Sequence, residues 1–218
     1  MSDLADQVRR GLGLPPSLGL CVATFDDEAP ADLSLKAWPS LAQAVPARQR
    51  EFLWGRRSAR LALAAVSGDP EAPLPVMSDR RPAWPEGWIG SISHAAGVAS
   101  AIACRERDHP WIGQDVEALT ALDHIDEIAP LVATPAERSR LSATEDLLAL
   151  FSAKEALFKA LRPGRFLDFE AAELIGLDDA SLTLRLTLDW SARWPAAAEV
   201  QVRRFRTDRW IFTAALPV

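Results

Sequence analysis

The sequence predicts an α/β protein of the α+β kind, built from two halves that each run strand, helices, strands. Segments with the residue alternation and the Val, Ile, Thr and Leu enrichment of β-strands occur in both halves. Each half also contains one long helical segment, from Pro46 to about Val66 and from Thr144 to about Arg162. Residues 105 to 110 are charged and turn-like, so we place the boundary between the halves there.

The N-terminal half, residues 1 to 109, is predicted to contain a short helix, a strand, a long helix and a pair of strands. Pro46 suits the first turn of the long helix and Gly68 suits its end. The proline-rich residues 68 to 87 are predicted to form a loop. The short helix begins at Asp3, and the strands cover Leu18 to Phe25, Trp88 to Ser93 and Val98 to Cys104, the last two joined near Gly97.

The C-terminal half, residues 110 to 218, begins with a predicted strand from Trp111 to Glu117, followed by a helix near residues 122 to 130. Thr134 and Glu137 fit a capping box, with Pro135 at the first helical position. After the long helix, which ends before Pro163, three strands are predicted: Ser181 to Leu188, Glu199 to Phe205 and Arg209 to Leu216.

Composition excludes several classes of function. A chain of 218 residues with 49% hydrophobic content can bury a sizeable core, and its net charge of −6 argues against nucleic-acid or membrane partners. No apolar run approaches the ~20 residues of a membrane span, and the N-terminus lacks a signal-peptide pattern. Cys21 and Cys104 lie in apolar runs without zinc spacing, so we expect free thiols in a cytoplasmic protein.

Two short segments place charges where a purely structural element would carry apolar residues. Asp115 and Glu117 alternate along a strand, which points both side chains to one side. Glu155 and Lys159 are four residues apart and share one helix face, whereas Lys154 lies on an otherwise aromatic face. The three carboxylates can therefore converge on one cation, with a lysine ready for an anion.

Each of these features also has an ordinary structural explanation. An Asp-x-Glu pair on a strand is usually a solvated face, and Glu155 with Lys159 is usually a surface pair that contributes ~0.2–0.5 kcal/mol. His94 alone would more often be a structural histidine, and the arginines of residues 48 to 60 can form a solvated helix face. Their coincidence in one ordered pattern favours a functional site.

That ordered pattern resembles the Sfp-type phosphopantetheinyl transferases, in particular the branch of the enterobactin-synthetase transferase. Four segments carry the resemblance and occur in the family's order: Phe52–Arg60, Arg81–His94, the Gly-x-Asp-x-Glu of Gly113–Glu117, and the Phe-x-x-Lys-Glu-x-x-x-Lys of Phe151–Lys159. They span roughly residues 46 to 170. The chain departs from the common pattern at Gln114, at Phe151 and at Ala95.

The resemblance implies a fold of two similar subdomains, residues 1–109 and 110–218, related by a pseudo-twofold axis with the active site in the cleft between them. It also implies an activity, the transfer of the 4′-phosphopantetheine arm of coenzyme A to a serine of an apo-acyl or peptidyl carrier protein. Adenosine 3′,5′-bisphosphate is released, and magnesium is the expected cofactor. We expect a monomer that binds neither nucleic acid nor membranes.

The resemblance also assigns roles to individual residues. Asp115, Glu117 and Glu155 match the family's Mg²⁺ ligands, and either Glu155, Glu117 or a water held by the metal would accept the serine proton. Lys159 would act with them as a catalytic residue on the phosphates. The predicted coenzyme A contacts are Lys154, Lys159, Ser93 and His94 at the phosphates and Arg56, Arg60 and Arg81 at the 3′-phosphate end.

Two other classes of function remain open at this stage. The chain could be a non-catalytic module that binds coenzyme A or a carrier protein, although three intact carboxylates argue against it. It could also be a metal-dependent phosphohydrolase that cleaves coenzyme A with water. An apo-carrier protein distinguishes the three, because only the transferase consumes coenzyme A solely in its presence.

Overall fold

The computed structural model describes residues 3–26, 28–33, 35, 38, 41, 43–69, 74–75, 77, 81–161 and 168–217. The chain forms two compact units, one of Met1–Arg9 with Leu14–Pro110 and the other of Arg10–Gly13 with Trp111–Val218. Both contain helices and a sheet, so the predicted mixture of helices and strands is confirmed. Across the described residues, no helix has both the length and the apolar character that crossing a membrane requires.

The first unit is a three-stranded antiparallel sheet with a long helix on it. Its elements are β1 (Gly19–Thr24), α2 (Pro46–Ser67), β2 (Trp88–Ala95) and β3 (Val98–Arg105), and helix α1 (Asp3–Gly11) precedes them. The strand order is β1-β3-β2, which places β3 in the centre. The apolar side chains of α2, including Ala59, Ala62 and Leu63, pack with Ala101 and Ala103 of β3.

The ends of these elements follow the predicted signals. Helix α2 has proline in its first turn and ends at Gly68, whose φ of 77° lies in the left-handed region. The turn between β2 and β3 contains Gly97, with a φ of 74°. The predicted helix bounds and the predicted hairpin of this unit are confirmed to within a few residues.

The second unit is a five-stranded antiparallel sheet covered by helices. Its elements are β4 (Gly113–Ala118), α3 (Ile125–Val132), α4 (Pro135–Arg138), α5 (Thr144–Leu161), β5 (Ala172–Leu177), β6 (Ser181–Leu186), β7 (Glu199–Arg206) and β8 (Trp210–Ala215). The strand order is β4-β8-β7-β6-β5. The predicted capping box is present, because Thr134 accepts from the Glu137 backbone and Glu137 accepts from the Thr134 backbone. The predicted end of the long helix at Arg162 lies outside the described residues.

The prediction of three strands after the long helix is wrong, because β5 is a fourth. Its pairing with β6 shifts register between Leu174 and Gly176. This irregularity breaks the two-residue period, and a glycine in a short edge strand weakens the sequence signal further. Period and composition therefore did not reveal this strand.

Helix α5 lies close to strand β4, and Gly113 permits the approach. A Cβ atom at residue 113 would lie 2.0 Å from the carbonyl oxygen of Ala156 and 2.5 Å from the amide nitrogen of Ala160. Both are backbone atoms of the helix and cannot rotate away. The absence of a side chain at Gly113 therefore sets the distance between α5 and the strand.

We predict that Gly113→Ala pushes α5 away from β4 and lowers the free energy of unfolding by at least ~1–3 kcal/mol, the range for overpacked cores. Gly176→Ala is the matched control, since its Cβ would meet Thr183 at an ordinary 3.4 Å. Urea denaturation of both variants measures the difference. Equal stability of the two variants would contradict the close approach.

Candidate active site

Strand β4 and helix α5 bring most of the predicted site residues of the second unit together. Alternation along β4 directs Asp115 and Glu117 to the face that α5 covers, the same face on which Gly113 meets the helix. Ser152, Glu155 and Lys159 are spaced by three and four residues on α5 and so share one helix face. The site is therefore built where this helix face meets this strand face.

Asp115 is the buried centre of the cluster, with only 1% of its surface exposed. Its Oδ1 accepts a hydrogen bond from Lys159 Nζ at 2.6 Å, and its Oδ2 accepts one from Ser152 Oγ at 2.8 Å. Lys159 Nζ also lies 3.3 Å from Glu155 Oε2. One ammonium thus bridges a strand carboxylate and a helix carboxylate.

The carboxylates of this cluster interact unfavourably with one another. Burial, followed by the charges of Asp115 and Glu155, raises the pKa of Glu117 to about 8. Burial also raises the pKa of Glu155, and Asp115 adds to the rise although Lys159 opposes it. Burial alone would lower the pKa of Lys159, but Asp115 and Glu155 outweigh it and raise that pKa. The cluster therefore has an excess of negative charge that one lysine balances in part.

The donor set is chemically suited to magnesium, because carboxylate oxygens are the ligands that hard divalent cations prefer. Within the described part of the chain, however, no three His, Cys, Asp or Glu side chains are grouped closely enough to hold a metal ion. Lys159 occupies the position of a cation between Asp115 and Glu155. The residue types fit a magnesium ion. In this arrangement of side chains, however, Lys159 provides the positive charge between the carboxylates.

Lys154 lies outside this cluster, although the next residue in the helix belongs to it. Its Nζ lies 2.7 Å from Glu137 Oε1 and donates to the carbonyl oxygens of Val132 and Phe169, each at 2.9 Å. The Lys154 side chain is only 2% exposed. Its three donors are therefore used inside the unit, which does not support the predicted contact with coenzyme A phosphates.

Glu137 completes this second network and was not predicted from the sequence as more than a helix cap. Its carboxylate accepts from Lys154 and from the backbone amides of Thr134 and Leu174. Burial raises its pKa, but the Lys154 hydrogen bond and the two backbone hydrogen bonds lower it to below its ordinary value. The pair ties α5 to α4 and β5.

Arg56 is also buried, unlike the solvent-facing arginine that the prediction requires. It is 4% exposed, donates to the Leu74 carbonyl oxygen at 3.2 Å and lies over the Phe52 ring at 4.9 Å. Burial lowers the pKa of Arg56 to about 10. This arrangement does not support a contact between Arg56 and the 3′-phosphate.

His94 lies in a charged setting in the first unit. Its Nε2 is 2.6 Å from Arg48 Nη1, and its Nδ1 is 3.6 Å from Glu51 Oε2. Glu51 also lines a cavity of about 460 Å³, together with Phe25, Asp26, Ala47, Arg50 and Gly97. The sequence indicated His94 and the arginine-rich helix as separate features. It did not predict the contact between His94 and Arg48.

The remaining predicted coenzyme A residues of this unit differ in exposure. Ser93 is 6% exposed on β2, directly opposite Ser100 of β3. Arg60 is half-buried on α2, and Arg81 is exposed in the segment before β2. All three make further contacts within the protein.

Two family models match the chain. Residues 37–104 match the 4′-phosphopantetheinyl transferase N-terminal domain, and residues 112–214 match the 4′-phosphopantetheinyl transferase superfamily. The 4′-phosphopantetheinyl transferase Svp of Streptomyces mobaraensis is 37% identical over 188 residues, covering 79% of this chain and 74% of that protein. The chain belongs to the 4′-phosphopantetheinyl transferases.

Two further relatives are similar to the chain, and one of them is an enterobactin synthase component. The 4′-phosphopantetheinyl transferase Npt of Nocardia iowensis is 36% identical over 157 residues, covering 67% of this chain and 68% of that protein. Enterobactin synthase component D of Salmonella typhi is 32% identical over 174 residues, covering 75% of this chain and 67% of that protein. The resemblance to the enterobactin-synthetase branch is confirmed.

The two lysines of the 4′-phosphopantetheinyl transferase motif on α5 should respond differently to substitution. Lys154→Met leaves the buried Glu137 carboxylate without its cation, and we expect a loss of ~3–5 kcal/mol in the free energy of unfolding. The folded fraction should bind coenzyme A as the native protein does. Lys159→Met is the comparison: it also removes the partner of a buried carboxylate, Asp115, but its folded fraction should bind coenzyme A more weakly than the native protein does.

Chemical denaturation and calorimetry with coenzyme A test this pair. If the Lys154→Met protein had native stability but had lost coenzyme A binding, the result would support the predicted contact between Lys154 and the coenzyme A phosphates.

Proposed function

We propose that this protein transfers the 4′-phosphopantetheine arm of coenzyme A to a serine of an apo-acyl or peptidyl carrier protein and depends on Mg²⁺. The observation that carries the proposal is the cluster of Asp115, Glu117, Glu155 and Lys159 in a chain of this family. The enterobactin synthase relatives favour a carrier protein of siderophore or related secondary metabolism. The free thiols of Cys21 and Cys104 are typical of a cytoplasmic protein, and we propose that the protein acts in the cytoplasm. We also propose that it acts as a monomer.

The Mg²⁺ would be held by the carboxylates of Asp115, Glu117 and Glu155. When bound, the ion would neutralise the negative charge of the diphosphate during the reaction. Support for this proposal comes from the grouping of three carboxylates beside Lys159, where burial first and then the charge of Asp115 raise the pKa values of Glu117 and Glu155. Lys159 would supply a second positive charge at the edge of the cluster, for the phosphate oxygens.

The serine hydroxyl must lose a proton as its oxygen attacks the β-phosphorus of the diphosphate. Glu117 and Glu155 are both candidates for the acceptor, since each belongs to the cluster and each is partly accessible. The positive charge of a divalent cation would lower both pKa values and keep both side chains ionised. Either carboxylate could then take the proton, and a base of this kind contributes ~10²–10⁴ in rate.

The coenzyme A contacts proposed for the first unit are Arg60, Arg81, Ser93 and His94. Arg48 donates to His94 Nε2, so an arginine and an imidazole lie side by side, and we propose that an anionic ligand binds beside them. Guanidinium groups suit phosphate because they bind its oxygens in pairs. The proposal omits Arg56, because it is buried and donates to the Leu74 carbonyl oxygen, and Lys154, because its three donors are used inside the protein.

We predict that the protein, supplied with coenzyme A, Mg²⁺ and an apo-carrier protein, adds one phosphopantetheine arm, which intact-mass spectrometry detects. A carrier with alanine for the acceptor serine, or a chelator in the assay, should abolish the adduct. Glu155→Gln should reduce the rate at least about a hundredfold. Glu145→Gln is the matched control on the same helix, since Glu145 pairs with Arg206 at the surface.

Consumption of coenzyme A without carrier would replace this proposal with the phosphohydrolase. Binding of coenzyme A with no consumption under any condition would replace it with the binding module.

The 3′-phosphate contact has a separate test by calorimetry. Arg60→Ala and Arg81→Ala should each weaken coenzyme A binding about ten- to a hundredfold, the effect of losing a charge-assisted hydrogen bond. Both should also discriminate less than the native protein between coenzyme A and its dephospho form. Arg57→Ala is the control, because Arg57 pairs with Asp32 at the surface. Native protein with equal affinity for both ligands would remove the assignment.

A further inference from the structure

A chain of two buried hydroxyl groups ends on Asp115. Ser152 Oγ donates to Asp115 Oδ2 at 2.8 Å, and Thr213 Oγ1 lies 2.8 Å from Ser152 Oγ. Ser152 and Thr213 have no exposed surface, and Asp115 has 1%. Water therefore does not compete for these hydrogen bonds.

The direction of this chain follows from the hydrogen count. A serine hydroxyl has one hydrogen, and Ser152 uses it on Asp115. Thr213 must therefore donate to Ser152, so that the order of donation is Thr213 to Ser152 to Asp115. Hydrogen bonds in such a series polarise and strengthen one another.

Three separate elements fix the chain in place. Thr213 lies directly opposite Asp115 in the ladder between β8 and β4. Ser152 lies three residues before Glu155 on the same face of α5. Ser152, supported by Thr213, thus holds Oδ2 of the Asp115 carboxylate inside the protein, while Oδ1 meets Lys159 at the cluster.

We propose that Ser152 and Thr213 are positioning residues that restrict Asp115 to offering one oxygen to a cation, and that this favours Mg²⁺ over Ca²⁺. Mg²⁺ demands a near-ideal octahedron, whereas Ca²⁺ takes more oxygen ligands and accepts both oxygens of one carboxylate. A carboxylate whose second oxygen is held by a hydroxyl group suits the smaller ion. This inference rests on the proposed magnesium dependence.

The test uses variants that remove a hydroxyl without removing bulk. Thr213→Val keeps the shape of the side chain and loses the donor, whereas Thr213→Ser keeps the donor. Ser152→Ala interrupts the same chain at its centre. Ser58→Ala removes another fully buried hydroxyl, in the first unit, and controls for the general effect of such a change.

Calorimetric titration of MgCl₂ and of CaCl₂ into each protein with coenzyme A gives the affinity ratio directly. We expect Thr213→Val and Ser152→Ala to lower the Mg²⁺ affinity about tenfold or more, as for other residues that orient metal ligands, while the Ca²⁺ affinity is kept. Thr213→Ser and Ser58→Ala should keep the native ratio. In transfer assays, the Mg²⁺ concentration for half-maximal rate should rise in the same two variants, with much of the rate recovered at saturation.

The outcomes separate this inference from the proposed function. If the native protein transfers with Mg²⁺ while folded Thr213→Val and Ser152→Ala keep its affinity ratio, the hydroxyl pair is only structural and the inference falls alone. If the native protein shows neither Mg²⁺ binding with coenzyme A nor transfer, both fall. Thermal melting of each variant verifies that it is folded.

Discussion

The burial of Asp115 is the constraint from which the rest of the second unit's site follows. A carboxylate with 1% exposure has to be paired and hydrogen-bonded, because an uncompensated buried charge costs several kcal/mol. Lys159 and Ser152 meet this need, and both come from α5. They reach Asp115 because the helix lies close to β4, which in turn requires a residue without a Cβ at Gly113. The hydrogen bonds of Asp115 therefore depend on the close packing of the α5 backbone against β4.

Helix α5 carries two lysines whose charges are neutralised to different extents by their surroundings. Lys154 closes a network with Glu137 and two carbonyl oxygens, in which every charge is matched within the protein. Lys159 lies beside more than one carboxylate, and its side chain is 28% exposed. A matched network stabilises a fold, whereas an unmatched one can accept a charged ligand. The motif supplies both lysines, and their contacts separate the two roles.

Local signals made much of this architecture predictable. Proline, glycine and the Thr134 capping box set helix bounds correctly, and alternation placed Asp115 and Glu117 on one face. Burial was not predictable in the same way. Arg56 and Lys154 carry the residue types of phosphate contacts, yet Arg56 donates to Leu74 and Lys154 pairs with Glu137, and both partners lie outside the helix that carries the basic residue. Thr213 was missed for the same reason, since only the strand register places it opposite Asp115.

The arrangement also explains how three neighbouring carboxylates are accommodated in the folded protein without a metal ion. Three carboxylates with no counter-charge would repel one another, and this repulsion adds to burial in raising the pKa values of Glu117 and Glu155. Lys159 reduces it by bridging Asp115 and Glu155, so the metal-free protein keeps its packing. Ser152 and Thr213 act on the other side of Asp115 and hold its second oxygen in place. Under the proposed function, Lys159 would turn from Asp115 to a phosphate when Mg²⁺ binds, and the hydroxyl groups would keep the orientation of the carboxylate during that exchange.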